Sequence, residues 1–148
     1  MTKFSIDEIV YRTCKTVVQH VKNHVEEERG GIHSSFFSYI LHPEQDFVCV
    51  GESAEVLAGA PVHPEHLVPC VVLIQEVRRL LSEERLTDEQ IARLLQRHWK
   101  IGCISKEQAK RLDYELGYRS TMPAGWCFET GDTFERLTAG RISLIHRM

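Results

Sequence analysis

Apolar residues recur every three to four positions over most of this chain, and the clearest stretch opens it. Ile9, Val10, Cys14, Val17, Val21 and Val25 form one wide helical stripe. Ser5-Ile6-Asp7-Glu8 before it is a capping box, in which the serine oxygen accepts from the third helical amide and Glu8 reaches back. Glu26-Glu27-Glu28 sits poorly against the negative helix end, and Arg29 only partly offsets it. Gly30-Gly31 is expected to end the helix, because glycine enters left-handed backbone without steric cost. Residues 32–41 are short and aromatic-rich, and their periodicity fits a strand or a helix alike. Asp46–Gly51 reads as a strand, so the two segments predict a hairpin turning at His42-Pro43-Glu44-Gln45. Residues 52–61 read as a loop or a weak helical turn.

Three further helices are expected. Cys70–Leu81 follows Pro69, a residue suited to a helix start, and is apolar nearly all round at its beginning, so it should be central. Thr87-Asp88-Glu89-Gln90 is a second capping box and opens a helix to about Trp99, with Ile91, Leu94, Leu95 and His98 on one stripe. Lys100–Ile104 interrupts the pattern. Ser105-Lys106-Glu107-Gln108 then opens another helix that points Ala109, Leu112 and Leu116 inward and closes at Gly117. Met122–Trp126 signals a turn, Gly131-Asp132-Thr133 caps a short helix through Leu137, and Arg141–Ile145 alternates as an edge strand does. The pattern implies one α+β domain over residues 1–148, predominantly helical, with about five helices and a small antiparallel sheet. The helices around Lys100–Ile104 are too far apart for a helix-turn-helix, whose turn spans about three or four residues.

A chain of 148 residues can bury a real core without staples. No apolar run approaches the roughly 20 residues that span a bilayer, and Met1-Thr2-Lys3-Phe4-Ser5 shows no export signal. The five cysteines, Cys14, Cys49, Cys70, Cys103 and Cys127, are widely spaced. They are expected to be reduced thiols of a cytoplasmic protein. The net charge of −3 is carried by the first sixty residues, which hold five cations against nine carboxylates. Without a cationic cluster, strong binding to nucleic acid is not expected.

Chemistry concentrates in Val62-His63-Pro64-Glu65-His66-Leu67-Val68-Pro69-Cys70. His63, His66 and Cys70 stand three and four residues apart and carry donors that zinc favours, with Glu65 adding an oxygen. A fourth ligand would come from Cys49, His98 or Cys103. His20 and His24, four apart on the first helix, are a lesser pair; a histidine satisfied by a carbonyl in the core is the blander account. For the main run the bland account is a strand-to-helix connection stiffened by Pro64 and Pro69, with Cys70 a small core residue. Cys70 at a helix start also has the setting that favours a thiolate.

Glu65-His66-Leu67-Val68-Pro69 resembles the opening of the His-Me finger (HNH) nuclease motif, an acidic residue or histidine, then His, then two apolar residues and Pro at the end of a strand. The resemblance implies that His66 is the general base and that Glu65 or His63 helps hold a divalent metal, Zn or Mg. The motif's middle Asn has no counterpart, since Asn23 on the first helix is the only asparagine. Two expectations follow. The first is a small non-enzymatic binding protein of phage or mobile-element type, regulating or inhibiting a protein partner. Its acidic first sixty residues suit a basic surface such as a nucleic-acid groove, and Trp126 and Tyr118 are its candidate contacts. The second is a metal-dependent phosphodiester hydrolase, or a degenerate relative, using His66 and Glu65.

Overall fold

A computed structural model describes residues 2–146. Helix α1 (Ile6–Glu26) starts at Ser5, whose hydroxyl accepts from the Glu8 amide as expected. Its end differs from the glycine stop. Glu28 takes the left-handed position at φ 54°, and the Arg29 and Glu28 amides reach back to the His24 and Val25 carbonyls. That reciprocal pair satisfies the orphan carbonyls two residues before the glycines arrive.

The expected hairpin is not formed. Phe36–Ile40 is the short helix α2 and Gln45–Val48 the single turn α3. Strand β1 (Cys49–Ser53) pairs elsewhere, and the Ser53 hydroxyl caps the turn α4 (Ala54–Leu57). The aromatic segment folds as a helix because Phe37 is thereby buried edge-on against Trp99, ring centroids 5.0 Å apart.

Strand β2 (Val62–His66) leads through Leu67, Val68 and Pro69 into α5 (Cys70–Glu83), and α6 (Asp88–His98) starts at the full Thr87–Gln90 capping box. The interruption after α6 is β3 (Ile101–Ser105). It is followed at once by α7 (Lys106–Lys110), whose axis continues through a wider π turn at Arg111–Glu115. Helix α8 (Glu135–Ala139) and the two-residue β4 (Leu144–Ile145) complete the described elements.

The strands form one sheet in the order β2-β3-β1-β4. It is mixed, not purely antiparallel: β3 pairs antiparallel to β2 but parallel to β1, and β4 pairs antiparallel to β1. The parallel pair arises because the chain between β1 and β3 contains β2 and two long helices, room enough for a crossover. The described helices number eight and not five, because α2, α3 and α4 are single turns whose stripes are too short to read.

Two cores flank the sheet. Helices α1, α5 and α6 bury Val17, Val21, Leu73, Val77, Ile91 and Leu95 with Ile101 on one face. On the other, Leu67, Ile104, Ala109, Leu112, Leu137 and Ile142 join α7 and α8 to the sheet. All five residues of β3 are therefore buried, as a central strand requires. Among the described residues no helix is long and apolar enough to cross a membrane.

Candidate active site

Strand β2 lies at the sheet edge, so side chains from both of its faces reach the same rim. Strand alternation sends Glu65 toward α8 and His66 toward the opposite face. A hollow of about 500 Å³ wraps around this edge, lined by residues that include His63, Glu65, His66, Cys70, Asp113 and Arg119. The run singled out in the sequence thus does line a polar, solvent-reachable recess.

On the Glu65 face, the carboxylate divides between two partners. One oxygen accepts from the Arg136 guanidinium at 3.0 Å and the other stands 3.0 Å from His63 Nε2. Arg136 is fully buried and also donates to the main-chain oxygens of His66, Leu67 and Tyr118. It pins the turn between β2 and α5.

On the other face, His66 Nε2 lies 2.7 Å from Glu44 Oε2, and the fully buried Trp99 donates its indole N–H to the same oxygen at 2.6 Å. Cys70, first residue of α5, stands near the same imidazole and contributes to holding its charge. Burial disfavours the charged ring, but hydrogen bonds and charge from Cys70 and Glu44 outweigh it and raise the His66 pKa to about 10. His66 therefore holds its proton at neutral pH and is 29% exposed toward the hollow. The order carboxylate, imidazole, thiol is that of a nucleophile whose partner base is oriented by a third group. The N–H groups of Cys70 and Val71, at the start of a 14-residue helix, lack intrahelical acceptors and suit a developing negative charge.

Metal chemistry fits this arrangement poorly. His63 is drawn to Glu65 on one face, while His66 turns to Glu44 on the other, so the predicted ligands do not converge. Among the described residues no group of three His, Cys, Asp or Glu is placed to hold a metal ion. Arg136 against Glu65 also supplies positive charge where a cation would need the carboxylate free.

The remaining predicted residues have structural settings. Trp126 is half-buried, packs edge-on to His98 and donates to the Asp132 carbonyl. Tyr118 is half-buried, and its carbonyl accepts from Arg136. His24 is satisfied by the Gly30 carbonyl, and His20 stacks on Phe36. His98 is buried between Thr133 and the Phe128 carbonyl, and burial lowers its pKa.

Glu44, Trp99, Arg136, Asp113 and Arg119 escaped the sequence reading. One signal for Glu44 was present. His-Pro-Glu occurs twice, at 42–44 and 63–65, and both glutamates are buried, at 6% and 8% exposure. Comparison of the chain with protein-family models, curated proteins and solved structures finds no match, so the function has to be argued from this geometry.

Proposed function

We propose that the chain is a thiol-dependent hydrolase of acyl bonds, with Cys70 as nucleophile, His66 as proton carrier and Glu44 as the group that orients His66. The observation that carries this is the buried Glu44–His66 pair with His66 and Cys70 together lining an open hollow. A histidine that keeps its proton at neutral pH is a poor base toward water but a suitable partner for a sulfur nucleophile. In the first step the Cys70 sulfur bonds to the carbonyl carbon of an ester or amide, and the π electrons move to oxygen beside the Cys70 and Val71 amides. Collapse breaks the bond to the leaving group, which takes the proton from His66. Neutral His66 then removes a proton from water, whose oxygen displaces the sulfur from the thioester. The acid leaves and the Cys70–His66 pair is restored. Trp99 and Glu44 keep the ring in place throughout.

A second reading has its own support. Strands β2 and β3 are antiparallel, β3 runs directly into the helix formed by α7 and its π turn, and His66 stands at the end of β2. That order suits a degenerate relative of the His-Me finger nucleases, one that holds a phosphodiester or a protein partner in the hollow without the full metal set.

The test uses purified protein with activated esters, thioesters and peptide arylamides, alongside plasmid nicking with Mg²⁺, Mn²⁺ or Zn²⁺. Turnover of an acyl probe should fall at least about a hundredfold in Cys70→Ser and in His66→Ala, with circular dichroism confirming the fold. Metal-dependent nicking that survives Cys70→Ser and is lost in His66→Ala would transfer the site to the second reading. With neither activity, a stoichiometric partner recovered by pull-down would support the binding module.

A further inference from the structure

A pair of sulfurs lies apart from Cys70. Cys49 opens β1 and Cys103 is the middle residue of β3, and these strands are parallel neighbours whose register slips between Cys49 and Gly51. The side chains meet on the sheet face that carries Ile101, with the two Sγ atoms 3.9 Å apart. A disulfide needs about 2.05 Å between sulfurs and a Cα separation of about 4.4–6.8 Å. The register sets Cys49 beside Ile101 and Cys103 beside Glu52, so the two cysteines are diagonal neighbours, and closing the gap of about 2 Å between their sulfurs takes side-chain rotation together with a shift of β1 where its register slips. The two sulfurs differ in access. Cys103 is 4% exposed, whereas Cys49 is half-buried and reachable. A cleft of about 210 Å³ lined by Glu44, Gln45, His66 and Ile101 opens beside the pair, and Gln45 Oε1 approaches Cys103 Sγ at 4.0 Å.

We infer that Cys49 and Cys103 form a reversible disulfide, driven by hydrogen peroxide, that clips the two central strands together. The Cys49 sulfur attacks a peroxide oxygen, the O–O bond breaks, and one water leaves as the sulfenic acid forms. The Cys103 sulfur then attacks the sulfenic sulfur, the S–S bond forms, and the second water departs. Two thiols are oxidised and one peroxide is reduced to two waters; a dithiol reductant reverses the change. The assignment is independent of the role proposed for Cys70.

The full chain is exposed to dilute hydrogen peroxide, quenched with N-ethylmaleimide, digested without reduction and mapped by mass spectrometry. The expected result is a Cys49–Cys103 linked peptide as the main oxidised product, absent after dithiothreitol and absent in Cys49→Ser. The link should persist in Cys70→Ser and in Cys127→Ser, and disappear when the protein is unfolded in urea before oxidation. Sulfinic acid at Cys49 with Cys103 still alkylatable would overturn the inference. So would links scattered among all five cysteines, or the same yield from folded and unfolded chain.

Discussion

Glu44 accepts from His66 and Trp99 on a single oxygen while only 6% exposed, so its charge is directed at one imidazole. Replacing it by Gln keeps the shape and removes the charge. Glu44→Gln should lower the His66 midpoint from about 10 toward the ordinary 6.5, measured by NMR titration of the ring. An unmoved midpoint would remove Glu44 from the site. Arg136 is the second decisive residue, because it neutralises Glu65 and holds the turn that sets His66 and Cys70. Arg136→Met leaves a buried carboxylate against His63 alone, a loss of about 3–5 kcal/mol in denaturant unfolding, and Glu65→Gln in the same chain should restore part of it. At this scale the sequence revealed His63, Glu65, His66 and Cys70, because they are consecutive and chemically distinctive. Glu44 and Arg136 come from 22 and 70 residues away from His66, and only the folded chain brings them there.

The helices that begin with capping boxes were legible because cap and stripe are both local. Thr87→Ala should cost about 1 kcal/mol, read as a lower denaturation midpoint, since both bonds of that box are present. The strands were less legible. Ile101–Ser105 looked like a break between helices, yet it is the centre of the sheet, since five apolar or small residues in a row carry no period to read. A Cβ at Gly102 would stand 2.6 Å from Leu144 Cδ1, the end of a side chain on the strand beyond, so that leucine would have to turn aside. Gly102→Ala should therefore destabilise the protein by about 1–3 kcal/mol and increase amide exchange in β4. Protection equal to wild type would show that β4 is not seated where the sheet order requires. The hairpin expected at residues 32–51 failed for a related reason, since burying Phe37 against Trp99 depends on a partner more than sixty residues away.

Across the whole molecule, the raised pKa of His66 links the site to stability. A group whose pKa rises on folding stabilises the native state while it is protonated in both states. The contribution of His66 is therefore complete below about 6.5 and is lost as pH rises through about 10. Unfolding followed from pH 6 to 10 should show that loss in wild type and a much smaller one in His66→Gln. The broad architecture, helices around a small sheet, was legible from periodicity; the mixed strand order was not, because pairing partners leave no local trace. The most direct test of the central claim is competition among the five thiols for limiting iodoacetamide at pH 6.5. Cys127 is the exposed one, and Cys70 is half-buried beside His66. The account predicts that Cys70 is alkylated first, and that His66→Ala removes its lead. Labelling that follows exposure, with Cys127 ahead of Cys70 in both proteins, would contradict it.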